Sequence, residues 1–92
     1  MTELLSHDTV DASLPELAGW ARDGDALVKV VEKADFAGAL AYVNAVAALA
    51  EAADHHPEID IRWNTVTLAL STHSAGGLTA KDLDMAAQID AV

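Results

Sequence analysis

DFAGALAYVNAVAALAEAADHHP, residues 35 to 57, is the stretch that decides the fold of this 92-residue chain. Asp35 can cap a helix that begins near Phe36, and the alanine-rich residues 37–53 have strong helical propensity. Apolar side chains recur on two neighbouring stripes at helical spacing, and Pro57 ends the pattern. Small side chains cover the remaining surface, so we expect this helix to pack closely on a sheet.

The segments on either side of this helix have the pattern of β-hairpins. Four strands are predicted, over residues 20–22, 26–34, 59–63 and 66–71. Asp23-Gly24-Asp25 is the turn signal between the first two, and the second of them is rich in β-branched valine. Asn64-Thr65 is the expected turn between the last two, although Asn-Gly would be a stronger signal.

Two shorter helices are predicted nearer the ends of the chain. Ser13-Leu-Pro-Glu16 has the spacing of a capping box and predicts a helix over about residues 14–19. Thr79 and Asp82 repeat that spacing before a C-terminal helix. The order α-β-β-α-β-β-α predicts an α+β fold, with a four-stranded antiparallel sheet and helices packed on one face.

Composition excludes several classes of partner. Five Lys and Arg against fifteen Asp and Glu leave a net charge of −10, which argues against nucleic-acid binding and against an anionic membrane surface. Apolar residues make up 52% of the chain, enough to fill a core. We expect one domain over residues 1–92, with residues 1–12 loosely ordered.

The cysteine count and the N-terminus favour a cytoplasmic protein. With no cysteine, these residues offer no disulfide, no Cys-ligated zinc and no thiol nucleophile, which fits a reducing compartment. The N-terminal residues lack the cationic start and apolar run of a signal peptide. The most apolar stretch, residues 37–50, is short for a bilayer span and suits a buried core helix.

Three of the four histidines lie at the ends of predicted elements. His55 and His56 follow the long helix, and His73 follows the last strand. Functional side chains collect at such ends, and imidazole titrates closest to neutral pH, which suits acid–base chemistry. A lone His at a helix C-terminus more often complements the helix dipole, and the spacing of His73 favours neither interpretation. His7 is assigned no function.

A metal site is a competing interpretation. Three histidines and a carboxylate could bind zinc, but His55 and His56 are adjacent rather than four apart, as a helix-borne ligand pair would be. Glu51 and Asp54 share a helix face, and simple solvation would account for them. Trp20 is typical of a core or interface anchor. The adjacency of His55 and His56 therefore argues against a metal site, and it leaves acid–base and purely structural roles for the histidines open.

Together these residues resemble the signature of the pterin-4a-carbinolamine dehydratase family. The matching pieces are Glu51-Ala-Ala-Asp-His-His-Pro57, Trp63, Thr72-His73 and Gly76-Gly-Leu-Thr-x-x-Asp82. The resemblance covers roughly residues 14–89, and the pieces in combination are far more specific than any one alone. Trp63 stands where the family would lead us to expect Tyr, so the aromatic character is kept.

The resemblance implies a fold, a reaction and an assembly. It implies helices on one face of a four-stranded antiparallel sheet, in subunits that associate as homodimers or homotetramers. The implied reaction is the dehydration of 4a-hydroxytetrahydropterin to quinonoid dihydropterin during tetrahydropterin recycling, by histidine acid–base catalysis with no metal and no cofactor. Its substrate is a neutral pterin ring without phosphate, which an acidic protein does not repel.

The resemblance also assigns the site residues. His55 and His73 would be the proton-transfer pair, and His56 would bind and assist. Substrate-binding and supporting roles would fall to Glu51, Asp54, Ser71, Thr72, Ser74, Trp20 and Asp82. The alternative is a non-enzymatic dimerisation cofactor or assembly factor on the same fold, which would have no need of the full histidine set.

Overall fold

The computed structural model describes residues 3–92 as three helices and four strands. In chain order these are α1 (His7–Ser13), β1 (Trp20–Asp23), β2 (Ala26–Glu32), α2 (Phe36–Ala53), β3 (Glu58–Arg62), β4 (Thr65–Leu70) and α3 (Ala80–Asp90). Short 3-10 turns cover Leu14–Glu16 and His73–Ala75. The predicted order of elements and the α+β class are confirmed.

Two hairpins join through their second strands into one antiparallel sheet of order β1-β2-β4-β3. In the two central strands, the β2–β4 pairing runs from Leu27 opposite Leu70 to Glu32 opposite Thr65. Because successive side chains of a strand point to opposite faces, Val66, Leu68 and Leu70 are all fully buried on the inner face. Val30 on the outer face is 62% exposed. The inner face joins the inner sides of the helices in a single core cluster.

The β3–β4 turn lies one residue earlier than the sequence predicts. Arg62 pairs with Thr65, so Trp63 and Asn64 form the two-residue loop. The Asn64 side chain donates a 2.8 Å hydrogen bond to the Lys33 carbonyl at the end of β2, which fixes Asn64 within the loop. Trp63 adopts a left-handed conformation with φ +55°.

Helix α2 begins and ends where its sequence signals lie. The Asp35 side chain accepts a 2.7 Å hydrogen bond from the Gly38 N–H and caps the first turn. The buried residues of α2 are Ala39, Tyr42, Val46 and Ala50. Within residues 3–92, α2 is the one helix whose length and composition would allow it to cross a membrane. Core helices often meet the same two criteria, and the inner side of α2 packs in the core.

The N-terminal segment differs from its prediction. The sequence predicts loose order over residues 1–12, of which the first two lie outside the described residues, and a helix over residues 14–19. The structure instead has helix α1, followed by only a 3-10 turn. Ser6 caps α1 by accepting the Thr9 N–H at 3.1 Å, and Val10 is fully buried in the core. One buried apolar side chain and one cap thus order a segment whose composition is mostly polar.

Candidate active site

The C-terminus of α2 ends in a tight turn that separates the two adjacent histidines. Asp54 is the C-cap, with φ 50° and ψ 43°, a left-handed conformation that Asp tolerates better than most residues with a side chain. The His55 N–H then donates to the Ala50 carbonyl at 3.1 Å. The His55 side chain lies inward and is 10% exposed, whereas the His56 side chain is 53% exposed.

His55 is held by a buried carboxylate at the start of α3. Its Nε2 lies 2.6 Å from Oδ1 of Asp82, which has no exposed surface. Oδ2 of Asp82 accepts the Thr79 N–H at 2.9 Å and the Thr72 hydroxyl at 2.8 Å. The Thr79 hydroxyl lies 2.7 Å from that of Thr72. Burial of a carboxylate is costly unless it is hydrogen-bonded, and here both oxygens have partners.

The donors around Asp82 indicate which nitrogen of His55 carries the proton. A backbone N–H and a hydroxyl already donate to Oδ2, so Asp82 acts as an acceptor and Nε2 of His55 donates to its Oδ1. Nδ1 then keeps the free lone pair, and it has no hydrogen-bond partner among residues 3–92. An imidazole oriented by a carboxylate at one nitrogen and free at the other can transfer protons.

His56 forms a second, exposed pair with a carboxylate. Its Nε2 is hydrogen-bonded to Glu51, whose side chain is 77% exposed. Asp54 is also exposed beside these two residues. Because water screens exposed charges, this pair adds little to stability, and its side chains are free to contact a ligand.

His73 lies on a short, internally bonded loop after β4. The Thr72 N–H donates to the Gly77 carbonyl at 2.9 Å, and the Thr72 carbonyl accepts the N–H groups of Ala75 and Gly76 at 3.0 Å. Gly76 adopts φ +79°, which lets the chain reverse without steric cost. The loop is therefore compact and presents an exposed His73 side chain.

Two of the predicted substrate contacts lie beneath the histidines instead of lining an open surface. Thr72 is 3% exposed, and Asp82 is fully buried. Together they link the ring of His55 to the loop of His73. Ser74 is exposed on that loop, and Ser71 donates its hydroxyl to the Asp25 carbonyl at 2.8 Å. The structure thus gives Thr72 and Asp82 a supporting position.

Trp20 is not brought to the histidines. Its indole N–H donates to Asp90 at 2.8 Å, and Asp90 follows Asp82 in α3 by about 12 Å along the helix axis. Lys29 donates to the same Asp90 oxygen at 2.7 Å. Nearby, burial raises the pKa of Tyr42, and the negative charge of Asp90 raises it further. Trp20 is 6% exposed and belongs to the core, the alternative that its sequence context left open.

A cavity of about 160 Å³ opens beside His55, between the end of α2 and α3. It is lined by Ala53, His55, Lys81, Asp84, Met85 and Gln88. The sequence gives no signal for the polar members on α3, because their spacing is that of any solvated helix face. A second cavity of about 290 Å³, at the β3–β4 edge, contains none of the candidate residues.

A metal centre finds no geometric support in the part of the chain that the structure describes. Across residues 3–92, no three His, Asp or Glu side chains are grouped so that they could hold a metal ion. The three pairs that do form, at His7, His55 and His56, each join one imidazole to one carboxylate.

Comparison with known proteins gives consistent matches over nearly the whole chain. The family described as Pterin 4 alpha carbinolamine dehydratase matches residues 3–92. A Nocardia farcinica protein whose name assigns it to the pterin-4-alpha-carbinolamine dehydratases is 54% identical over 89 residues, 97% of this chain and 94% of its own. A protein of the same name from Roseiflexus castenholzii is 53% identical over 92 residues, 100% of this chain and 99% of its own.

Two solved structures share the fold. The Brucella melitensis transcriptional coactivator/pterin dehydratase superposes with a TM-score of 0.89 at 32% identity, covering 95% of each chain. A pterin dehydratase-like protein identified as a RuBisCO assembly factor in the alpha-carboxysome superposes with a TM-score of 0.67 at 28% identity, covering 79% of this chain and 87% of its own.

Proposed function

The chain belongs to the pterin-4a-carbinolamine dehydratase family, and from that premise we propose that it dehydrates a 4a-hydroxytetrahydropterin to the quinonoid dihydropterin. In this reaction a base removes the proton from N5 of the pterin, and the freed electron pair forms the N5–C4a double bond. The C4a–O bond breaks, and an acid protonates the departing hydroxyl, which leaves as water. The reaction therefore needs two proton-transfer groups on either side of one bond.

The observation that carries the proposal is the pair of His55 and Asp82. Asp82 orients the ring through Nε2, and Nδ1 is left free, so His55 can accept or donate a proton without first losing a partner. His73 supplies the second imidazole, from the loop that Thr72 connects to the other oxygen of the same Asp82 carboxylate. We assign His55 and His73 as the proton-transfer pair.

Exposed groups at the end of α2 suit the binding of the pterin ring. Its pyrimidinone edge presents N–H donors, and Glu51 and Asp54 are exposed carboxylates that accept such donors. His56, bonded to Glu51, would bind and assist. Ser74 is the exposed hydroxyl on the opposite loop.

The decisive measurement is the rate of dehydration of 4a-hydroxytetrahydropterin generated in situ and followed by absorbance. We expect the purified protein to accelerate the reaction above its spontaneous rate. His55→Ala and His73→Ala should each lower kcat by about 10²- to 10⁴-fold, the usual contribution of a positioned acid or base. Asp23→Asn, a change at an exposed carboxylate on β1, should leave kcat unchanged. An uncatalysed rate with the wild-type protein, or full activity in both histidine variants, would contradict the proposal.

The alternative is a dimerisation or assembly role without catalysis, since one structural relative is described as a transcriptional coactivator as well as a pterin dehydratase, and the other as a RuBisCO assembly factor. The buried charge of Asp82 speaks against it. A pure scaffold needs the Asp82 carboxylate only as the cap of α3, whereas this chain also directs the other oxygen of that buried carboxylate at a histidine. The activity measurement separates the two roles.

We also infer that the chain forms homodimers or homotetramers through β3 and the adjoining flank of α2. β3 is an edge strand of the sheet, and Ile59 on it is 37% exposed. Phe36 and Leu40 of α2 are 44% and 39% exposed, and the Phe36 ring stacks on Trp63 with centroids 6.5 Å apart. A Trp that is 66% exposed in a left-handed turn is costly for a monomer, and a second copy would bury it.

Sedimentation equilibrium tests this assembly. The wild-type chain should sediment as a dimer or tetramer, and Trp63→Ser should shift it towards monomer. Val30→Ser removes an equally exposed apolar side chain from the outer face of the sheet and should leave the assembly intact. A wild-type monomer at high protein concentration would rule out the association.

A further inference from the structure

The loop that carries His73 is hydrogen-bonded to other segments of the chain at both of its ends. At its start, the Ser71 hydroxyl donates to the carbonyl of Asp25 in the β1–β2 turn at 2.8 Å. At its end, the Leu78 carbonyl accepts the N–H of Leu5, which precedes α1, at 2.8 Å. Two segments from the N-terminal third of the chain therefore hold a loop of the candidate active site.

His7 joins those two segments to each other. Its Nε2 lies 2.9 Å from Oδ1 of Asp25, and the two side chains are 50% and 67% exposed. Gly77 of the loop packs into the corner between the segments. A Cβ at Gly77 would lie 3.0 Å from the Leu4 side chain and 3.6 Å from Asp25 Oδ1. The loop thus touches both segments, and the His7–Asp25 contact keeps them together.

We propose that His7 and Asp25 are positioning residues for His73. On its inner side the loop is held by the buried bonds of Thr72 to Asp82, which do not open without disturbing the core. On its outer side the Ser71–Asp25 and His7–Asp25 hydrogen bonds are exposed, so they can open while the protein stays folded. When the His7–Asp25 contact opens, the loop is free to tilt about its buried anchor and to move His73.

The consequence for catalysis follows from geometry. Small displacements of a proton-transfer group weaken catalysis strongly, because transfer requires hydrogen-bond distance in the reacting complex. An exposed side-chain contact biases such an opening by only a modest factor, so we expect about a two- to fivefold change in kcat when it is removed. This inference rests on the proposed dehydratase function, and it gives His7 a role that its sequence context did not suggest.

The experiment compares two exposed contacts that tie α1 to the first hairpin. His7→Ala removes the contact that reaches the loop. Asp11→Asn weakens the contact of Asp11 with Arg22, at 2.7 Å, which joins α1 to β1 without touching the loop. We expect His7→Ala to lower kcat about two- to fivefold, as an exposed pair allows, and Asp11→Asn to leave kcat unchanged. His7→Gln, whose amide N–H can still donate to Asp25, should restore most of the rate.

Two results would overturn the inference: wild-type kcat in His7→Ala, or an equal loss in His7→Ala and Asp11→Asn. If the wild-type protein shows no dehydratase activity, the proposed function fails separately. In that case amide hydrogen exchange at Gly76 and Gly77 tests whether His7 holds the loop. Exchange should be faster in His7→Ala than in Asp11→Asn if His7 holds the loop, and equal exchange in both would overturn the inference.

Discussion

Nε2 of His55 lies 2.6 Å from Oδ1 of Asp82, across 27 residues of sequence. The contact joins the end of α2 to the first turn of α3. Asp82 also completes the capping box of α3 by accepting the Thr79 N–H. One buried carboxylate therefore stabilises a helix terminus and orients a candidate catalytic ring, so its substitution should affect both stability and activity.

We expect Asp82→Asn to separate these two effects. The amide keeps the volume, but it lacks the charge and offers a donor where His55 needs an acceptor. The loss of charged hydrogen bonds should lower the unfolding free energy by about 1–3 kcal/mol. With the ring no longer held in one tautomer, kcat should fall by about 10²-fold or more. Urea unfolding and the pH dependence of kcat measure the two effects, and an unchanged pH profile would argue against the orienting role.

The left-handed C-cap at Asp54 predicts a simple order of stability. Asp54→Gly should be at least as stable as wild type, because glycine adopts φ 50° without steric cost. Asp54→Val should be less stable than Asp54→Gly by about 1–2 kcal/mol, since a β-branched side chain is strained there. Urea unfolding of both variants provides the check, and equal stabilities would mean that the turn relaxes out of this conformation.

Truncating a side chain should cost much more stability on the inner face of the sheet than on its outer face. Leu68 is fully buried against the helices, so Leu68→Ala should lower the unfolding free energy by about 2–5 kcal/mol. Val30→Ala on the exposed face should change it by less than about 0.5 kcal/mol. Similar losses at the two positions, measured by thermal or urea unfolding, would contradict the assignment of the faces.

Tyr42 predicts a loss of stability at alkaline pH. Burial, with a smaller contribution from the charge of Asp90, raises the pKa of the Tyr42 phenol above its ordinary value of 10.0. The folded state therefore binds this proton more tightly than the unfolded state does. The stabilisation is complete below pH 10.0 and is lost as pH rises through the folded pKa.

Tyr42→Phe should remove this part of the pH dependence while leaving the contribution of every other group in place. Urea unfolding of both proteins below and above pH 10.0 gives the difference. Tyr42 is the one tyrosine of the chain, so tyrosinate absorbance reports its ionisation directly. Parallel profiles of stability against pH in the two proteins would show that the folded environment does not perturb the pKa of Tyr42.

The sequence by itself determined the order of the elements, the class of the fold and the family. Asp35 and Pro57 mark the limits of α2, the alternation of Val66, Leu68 and Leu70 marks an inner face, and Thr79 with Asp82 marks the start of α3. These signals act over a few residues, because caps, turns and the repeats of helix and strand are local properties of the backbone. They also identified three histidines at the ends of elements.

Only the tertiary structure decided what those residues contact. It paired Asp82 with His55 and joined His7 to Asp25. It also placed Trp20 at the far end of α3 and buried Val10 in the core. Each of these contacts joins or packs segments distant in sequence, and their formation depends on how whole elements dock on one another. Local helix, strand and turn propensities do not specify this docking, because it depends on the shape and packing of the completed core.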